Sequence, residues 1–298
     1  MNKKEKHLLI DGNYLMFQSF YATYYGNPTN IMRSSKGVPT NGINLFLHQL
    51  IKLIDFYNPT HLYIAFDSPK KSFRHDIYQD YKAGRTKAPE ELFVQFNLVK
   101  EILKSLNVNF QEMPGFEADD LIAAYCKQVA DDQFKIIFSR DKDLQQLIDQ
   151  NTAIIQKDSN NYSLLTLDNY FQIYGFLPSQ VIDYKALAGD SSDNLPGVKG
   201  IGDKTAVSLI QKYGSVPNLY QNEANWSNDL TKSVITKLQN GKQDALFCLQ
   251  MATLNPNVTD FDTNKDDYVI DLDIENAIMQ LEDLELRFVL AKLKELIW

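Results

Sequence analysis

Nine acidic side chains are the residues of this 298-residue sequence whose types and spacing could do chemistry together. Asp11 and Asp67 each end a short apolar run, where an unpaired carboxylate is expensive to desolvate. Carboxylates brought close together need a counter-charge, and oxygen ligands without a nearby His or Cys pair favour Mg²⁺ or Mn²⁺ over zinc. Two such ions about 4 Å apart can promote phosphodiester hydrolysis. The nine acids are Asp11, Asp67, Glu117, Asp119, Asp120, Asp141, Asp143, Asp190 and Asp193.

Smaller groups of these acids also have ordinary structural explanations. Asp119 and Asp120 stand where the dipole of a helix favours acids at its N-terminus. Asp190 and Asp193 lie in a stretch rich in Gly, Asp, Ser and Pro, where aspartates commonly form turns or caps. The position of other acids at strand ends is what favours a shared metal site.

The segment 70–87 is strongly basic, although the whole chain is acidic, with 30 Lys and Arg against 38 Asp and Glu. A net charge of −8 argues by itself against a nucleic-acid partner. Aromatic residues alternate with the basic ones here, which is typical of a surface that grips phosphates and stacks bases. A solvated surface loop is the alternative. The basic residues of the segment are Lys70, Lys71, Arg74, Lys82, Arg85 and Lys87.

Strands that alternate with helices must position these side chains. The apolar runs predict strands at 7–11, 61–67, 135–139 and 153–156, and the helical patterns cover 42–56, 89–106 and 118–130. This alternation predicts an α/β fold with a mainly parallel sheet flanked by helices, in which function collects at the carboxyl ends of the strands. A smaller, mostly helical region follows, and a closing helix is predicted at 274–298.

Six motifs occur in one order along the chain. They are DG at 11–12, FD at 66–67 with FR at 73–74, YKAGR at 81–85, FEADD at 116–120, DKD at 141–143 and GDSSDNLPG at 189–197. With them the chain resembles, over essentially its whole length, the bacterial 5′→3′ exonucleases. That family includes the 5′-nuclease domain of DNA polymerase I and belongs to the flap endonuclease superfamily, whose fold is PIN-like.

The resemblance implies a PIN-like domain at 1–168, with a helical arch around 70–106. It implies a helical region at 169–298 with a helix-hairpin-helix element around 189–213. It also divides the acids between two metal ions. The first ion is assigned Asp11, Asp67, Glu117, Asp119 and Asp120, and the second Asp141, Asp143, Asp190 and Asp193.

The same resemblance assigns substrate contacts. Lys82 and Arg85 match catalytic cations that contact the scissile phosphate. Tyr81 matches a residue near the terminal nucleotides of the substrate, and Arg74 matches one that contacts a phosphate. In the helix-hairpin-helix element, glycine turns and helix amides bind DNA phosphates without reading sequence, although such turns are also common elsewhere. The DNA-binding residues assigned there are Gly197, Lys199, Gly200, Gly202 and Lys204, with a K⁺ ion on the turn carbonyls.

One position departs from the family pattern. Many relatives carry an arginine seven residues after the first aspartate, where it holds the substrate phosphate, and this chain has Gln18 there. Glutamine keeps the capacity for hydrogen bonding but not the charge. The expected effect falls on substrate affinity, not on the chemistry.

These observations predict a metal-dependent 5′→3′ exonuclease and flap endonuclease that uses two Mg²⁺ ions, with Mn²⁺ as a substitute. Its substrates are 5′ ends or flaps of branched duplex DNA, including RNA–DNA primers, in replication and repair. Hydrolysis leaves a 5′-phosphate and a 3′-hydroxyl. A PIN-like ribonuclease and a non-catalytic DNA-binding factor are the alternatives; the glycine turns and basic segment speak against the first, and the complete acid set against the second.

Composition sets the expected surroundings. The longest apolar run, 121–126, is far shorter than the roughly 20 residues that cross a bilayer. The N-terminus lacks a signal-peptide pattern, and two cysteines about 120 positions apart make no disulfide framework. We expect a cytoplasmic monomer without membrane contact, with a separate DNA polymerase as a candidate partner.

Overall fold

A computed structural model describes residues 5–84, 86–158 and 161–296 of the chain. Within these residues one six-stranded sheet runs in the order β3-β2-β1-β4-β5-β6. The first five strands are parallel and β6 is antiparallel to β5, which confirms the predicted mainly parallel sheet. The strands are β1 (Lys6–Asp11), β2 (His61–Phe66), β3 (Phe110–Glu112), β4 (Phe134–Phe138), β5 (Thr152–Asp158) and β6 (Asn161–Leu165).

Helices cover both faces of the sheet. The α-helices of the described residues are α1 (Gly12–Tyr21), α2 (Asn41–Tyr57), α3 (Phe73–Ile77), α4 (Glu90–Ser105), α5 (Ala118–Gln128), α6 (Leu167–Tyr174), α7 (Val181–Ala188), α8 (Asp203–Tyr213), α9 (Val216–Gln221), α10 (Trp226–Asp229), α11 (Lys232–Asn240), α12 (Lys242–Ala252), α13 (Ile274–Asp283) and α14 (Arg287–Glu295). Short 3-10 helices cover Pro28–Asn30, Asp143–Leu147, Pro178–Gln180, Glu223–Asn225 and Lys265–Tyr268. The predicted single closing helix is therefore two helices, because Glu285 takes a left-handed backbone conformation between them (φ 59°). Among all the described residues, no helix is long and apolar enough to span a membrane.

The two faces of the sheet hold separate hydrophobic cores. On one face Ile10 and Phe66 pack with α1, α2, α4, α13 and α14. On the other face Leu9 and Tyr63 pack with α5 and with most of the helices that follow residue 175. Burial on both faces explains why the central strands are nearly continuous apolar runs.

The chain order of the sheet reverses at β1, which has β2 on one side and β4 on the other. In parallel sheets the crevice at such a reversal, at the carboxyl ends of the strands, is where ligands bind. Asp11 ends β1, and Ser139 directly follows β4. The fold therefore brings these two loops together, as the strand-end aspartates predicted.

The expected helical arch differs from the structure in its second half. α4 packs against the sheet with Val99, Ile102 and Leu103 fully buried, so it belongs to the core. Between β2 and α4 the described residues contain only the short helix α3 and turns. The apolar spacing at 89–106 correctly predicted the helix α4. The same apolar residues bury α4 against the sheet, so it is not part of an arch over the cleft.

Candidate active site

Asp11 lies at the crevice between β1 and β4. Its Oδ1 accepts a hydrogen bond from the backbone N–H of Tyr14 (2.8 Å), so it caps α1, and its Oδ2 accepts from the Ser139 hydroxyl (2.8 Å). Burial raises the pKa of Asp11 to about 7, and the nearby charges of Asp67 and Asp141 add to this rise. Asp11 is thus a buried carboxylate whose ionised form is disfavoured by burial and by its acidic neighbours.

Asp67 and Asp119 extend this carboxylate group toward α5. Asp67 accepts from the backbone N–H of Ala118 at the start of α5 (2.8 Å) and from the side-chain amide of Asn13 (2.8 Å). Burial raises the pKa of Asp119 well above its ordinary value, and Asp141 and then Asp11 raise it further. Asp11 at the end of β1, Asp67 directly after β2 and Asp119 in the first turn of α5 thus come from three separate parts of the chain.

Within the described residues the acids after β4 form two overlapping clusters, one of them together with Asp119 of α5. Carboxylate oxygens of Asp119, Asp141 and Asp143 lie within 4.8 Å of one another, and so do those of Asp143, Asp190 and Asp193. Asp143 belongs to both clusters. Burial raises its pKa to about 7 even though Lys185 opposes the rise, and burial also raises the pKa of Asp193.

Lys185 is a site residue that the sequence did not reveal. It is buried in α7, its ammonium forms ion pairs with Asp143 and, at 2.6 Å, with Asp190, and its side chain is 5% exposed. Burial alone would raise the pKa of Asp190, but the charge of Lys185 outweighs it and lowers that pKa to about 2. The pKa of Asp190 is therefore shifted in the opposite direction to those of Asp11, Asp119, Asp143 and Asp193.

The pKa of Glu117 is also lowered. Burial would raise its pKa, but the charges of Lys82 and Arg74 lower it overall. Its Oε1 accepts from the Lys82 ammonium (2.9 Å), and its Oε2 accepts from Arg74 (3.2 Å) and from the Tyr81 hydroxyl (3.1 Å). Glu117 is thus held by cations of the basic segment.

Two assignments from the resemblance are corrected by the pair of Arg74 and Asp120. Arg74 is 2% exposed and Asp120 is fully buried. Asp120 accepts from Arg74 at 2.7 and 2.9 Å and from the backbone N–H of Asn255 at 2.8 Å, so its oxygens are used inside the protein. In this structure Asp120 does not face the cleft as a metal ligand, and Arg74 does not face it as a phosphate contact.

The residues of the YKAGR motif at 81–85 differ in how far they reach the cleft. Tyr81 is only 4% exposed, and its hydroxyl lies 3.1 Å from Glu117 and 3.2 Å from Asp193. It therefore supports carboxylates and offers no surface for stacking. Lys82 takes a left-handed backbone conformation (φ 58°) and lines the cleft. Arg85 lies outside the described residues.

An open cleft of about 890 Å³ unites these groups. Six of the nine acids line it, and the cations Lys82, Arg140, Lys142 and Lys185 line it as well. Gln18 does not line it, and its side-chain amide donates to the Tyr14 hydroxyl (2.8 Å). The acids on the cleft wall are Asp11, Asp67, Glu117, Asp119, Asp141 and Asp190.

The glycine turns lie between α7 and α8, next to the cleft. Gly197 has φ 59°, and a Cβ atom there would lie 2.7 Å from the Gly189 Cα and 2.8 Å from the Ala188 carbonyl carbon. Only glycine fits this close approach of two backbone segments. The assigned DNA-binding residues after this turn are exposed on the surface: Lys199, Gly200, Gly202 and Lys204.

A carboxylate-lined cleft at the reversal point of a parallel sheet is the kind of site that metal-dependent nucleases use. The model of the 5′-3′ exonuclease N-terminal resolvase-like domain matches residues 6–175, and that of the 5′-3′ exonuclease C-terminal SAM fold matches 176–274. The chain therefore belongs to the 5′-3′ exonuclease family and is a nuclease. The resemblance drawn from the motifs is confirmed.

Named relatives agree over nearly the full length. The chain is 37% identical over 295 residues to a 5′-3′ exonuclease of Mycoplasmopsis pulmonis, covering 99% of this chain and 95% of the relative. It is 37% identical over 293 residues to a 5′-3′ exonuclease of Bacillus subtilis, covering 98% and 97%. The DNA polymerase I of Bacillus subtilis is 37% identical over 257 residues, which are 85% of this chain and 28% of the polymerase.

Solved structures share the fold. T5 5′-exonuclease with bound zinc superposes with a TM-score of 0.69 at 20% identity, covering 97% of this chain and 99% of that one. The catalytic core of Rad2 in complex with a DNA substrate gives a TM-score of 0.66 at 16% identity, covering 99% and 93%. These similarities establish the PIN-like architecture with its helical C-terminal region.

Proposed function

We propose that this nuclease is a divalent-metal-dependent 5′→3′ exonuclease and flap endonuclease that cuts at the 5′ ends or flaps of branched duplex DNA. The observation that carries the proposal is the cleft in which carboxylates from the ends of β1, β2 and β4 face Lys82. The DNA-bound structure of Rad2 with the same fold, and the similarity to part of DNA polymerase I, support DNA as the substrate.

The cleft residues fit a pair of Mg²⁺ ions, with Mn²⁺ able to substitute. The donors in both clusters are carboxylate oxygens within 4.8 Å of one another, which suits hard dications. Burial raises the pKa values of Asp11 and Asp143, and neighbouring carboxylates raise them further, so a bound dication would stabilise their ionised forms. Asp11, Asp67 and Asp119 would hold one ion. The other would be held by Asp141, Asp143, Asp190 and Asp193. Bound ions of this kind polarise the phosphodiester and help to generate the attacking nucleophile.

The chain's own cations orient the reacting groups. Lys82 stands at the cleft wall with its ammonium 2.9 Å from Glu117, where it can contact the scissile phosphate and stabilise the charge that develops on it. Tyr81 and Arg74 hold Glu117 from behind, and this fixes where Lys82 points. Lys185 keeps Asp190 ionised.

The glycine turns and the start of α8 provide the duplex anchor in this proposal. Exposed Lys199 and Lys204 flank backbone amides that can bind phosphates. A K⁺ ion on the turn carbonyls belongs to the proposal as well, although the Gly200 carbonyl accepts from the Lys237 ammonium (3.0 Å). The proposal also includes RNA–DNA primers as substrates, a separate polymerase as partner, a monomeric state and a cytoplasmic location. The free thiols of Cys126 and Cys248 are consistent with a reducing compartment.

The test uses three 5′-labelled substrates: a flap duplex, a nicked duplex and single-stranded RNA, each with Mg²⁺ and with chelator. We expect cleavage of both duplexes with Mg²⁺ and none with chelator or with Asp119→Asn. Preferred cleavage of the RNA would indicate the ribonuclease alternative. Tight flap binding without any cleavage by the parent would indicate a DNA-binding factor instead.

A further inference from the structure

A second group of metal-ligand side chains lies at the opposite end of β1 and β2 from the acidic cleft. His7 and His61 are register partners on these parallel strands, so their side chains share one face of the sheet. The rings stack with centroids 4.1 Å apart and an interplanar angle of 11°. His7 is fully buried and His61 is 4% exposed, and one ligand atom of each lies within 4.8 Å of the other and of a Glu5 oxygen.

Both imidazoles carry an unused ring nitrogen beside Glu5, and the nearly parallel rings would have to turn toward each other to direct both lone pairs at one ion. The Nε2 atoms of His7 and His61 are buried without a hydrogen-bond partner in the described part of the chain. The Glu5 Oε2 lies 3.9 Å from the His7 Nε2, too far for a hydrogen bond. Buried polar atoms are nearly always paired, so two orphans on adjacent rings point to a ligand that the protein chain does not supply.

The other ring nitrogens are held in the way metal-binding histidines are held. The His7 Nδ1 lies 2.8 Å from the Tyr125 hydroxyl, and the His61 Nδ1 lies 2.8 Å from the Thr60 hydroxyl oxygen. When the Thr60 hydroxyl donates its single proton to the Lys6 carbonyl (3.1 Å), the His61 Nδ1–H donates to the Thr60 oxygen. This tautomer leaves a lone pair on the His61 Nε2, which is the arrangement that outer-shell partners impose on metal-ligating imidazoles.

We propose that Glu5, His7 and His61 form a binding site for a zinc-type transition-metal dication. Two imidazole nitrogens and one carboxylate oxygen, with a fourth position open to water, are a recurrent zinc donor set, whereas Mg²⁺ selects oxygen ligands alone. The half-exposed Glu5 leaves a path by which the ion enters, since its side chain is 35% exposed. This site is chemically distinct from the cleft, where all the ligands are oxygens.

Lys265 holds Glu5 in the metal-free protein. Its ammonium lies 2.8 and 3.0 Å from the two Glu5 oxygens, so an incoming ion competes with this ion pair. Val269 forms a β-bridge with His61 close by. A bound ion would release Lys265 from Glu5 and tie the starts of β1 and β2 to each other, and binding to the folded chain alone would stabilise it.

The experiment measures Zn²⁺ binding to the full chain by calorimetry in excess Mg²⁺, which is added to compete for the oxygen ligands of the cleft, and repeats it with Co²⁺ by visible absorption. We expect one equivalent of Zn²⁺ and the bands of tetrahedral Co²⁺ with nitrogen ligands. His61→Gln should weaken binding at least about tenfold, since outer-shell changes alone cost that much. Lys265→Gln should tighten it by freeing Glu5. His48→Gln, on α2 and outside the cluster, is the matched control and should bind as the parent does.

A parent that binds no Zn²⁺ in excess Mg²⁺ would overturn the proposal, and so would equal affinity in the parent and His61→Gln. If His61→Gln does not fold, Glu5→Gln replaces it, because this residue lies at the surface edge. Unchanged Zn²⁺ affinity in Glu5→Gln would equally overturn the three-ligand site. A rise in melting temperature with Zn²⁺ in the parent and in His48→Gln, but not in Glu5→Gln, supports it.

Discussion

Asp120 accepts two hydrogen bonds from the guanidinium of Arg74, at 2.7 and 2.9 Å, in the interior behind the cleft. Its sequence neighbour Asp119 faces the other way, toward Asp141 and Asp143. Adjacent carboxylates in one helical turn therefore do different work. Asp120 neutralises a buried cation, and Asp119 adds to a group of anions.

Asp120→Asn should destabilise the protein strongly, because it leaves the buried charge of Arg74 without its main partner. Breaking one side of a buried ion pair costs about 3–5 kcal/mol. Urea unfolding of the parent and of Asp120→Asn in chelator measures this loss. A change of less than about 1 kcal/mol in the free energy of unfolding would show that the Asp120–Arg74 pair does not stabilise the fold. Asp120 would then again be a candidate metal ligand.

Asp119→Asn should have the opposite effect on stability while abolishing cleavage. The pKa of Asp119 in the folded chain is raised by burial and neighbouring anions, so folding favours its protonated form. The contribution of Asp119 to the free energy of unfolding is therefore fully present below its unfolded pKa of about 3.9. It is lost as the pH rises through the folded pKa. In chelator at pH 7 the variant should therefore melt above the parent, and the gap should shrink toward pH 4.

Thermal melts at both pH values, at fixed ionic strength, check this sign. Mg²⁺ should narrow the gap at pH 7, because it binds the parent better than the variant. An Asp119→Asn variant that melts below the parent in chelator at pH 7 would mean that Asp119 makes a structural contact that outweighs the repulsion.

Lys82→Ala and Lys204→Ala should separate chemistry from duplex binding. Lys82 lines the cleft, and losing one preorganised charge at a reacting phosphate costs about 2.7–4 kcal/mol, or roughly 100- to 1,000-fold in rate. Lys204 is exposed at the start of α8, so its loss should weaken duplex binding and lower the salt slope by about one. Single-turnover cleavage and salt-dependent binding measure the two effects. Indistinguishable variants would refute the division between the cleft and the anchor.

Gly197→Ala should damage the turn that carries the anchor. The new Cβ would meet the Gly189 Cα at 2.7 Å, and the backbone there is left-handed, a strain of about 1–3 kcal/mol. Gly202→Ala is the control, because a Cβ there meets nothing within 4 Å, and it should cost less than about 1 kcal/mol. Urea unfolding of both variants decides. Equal effects would show that the close approach to Gly189 is not what requires glycine.

The central sheet could be predicted from sequence because strands buried on both faces read as unbroken apolar runs. β3 could not, since it is three half-buried residues, and β6 could not, since its exposed and half-buried residues give little apolar signal. The predicted helix at 89–106 was correct as α4, but its place in the core depends on which face is apolar and what lies opposite.

In the site, acids at strand ends were predictable from the cost of placing a carboxylate there. The opposite roles of Asp119 and Asp120 were not, because successive helical residues point in different directions and the sequence does not say which direction is the interior. Lys185 carried no signal either, since a lone lysine in an apolar helix usually extends its charged head to water. Its two carboxylate partners come from distant parts of the chain, and only the fold brings them together.

The packing of α13 and α14 has a consequence for synthesis. These last described helices cover the same face of the sheet as α2 and α4, with Leu281, Val289 and Leu293 buried among residues from the first third of the chain. During translation, domains generally fold in order from the N-terminus. The parts of α2 and α4 that α13 and α14 cover therefore stay exposed until residue 293 has left the ribosome. The residues that line the cleft, of which Asp203 is the last, have all been synthesised well before that point.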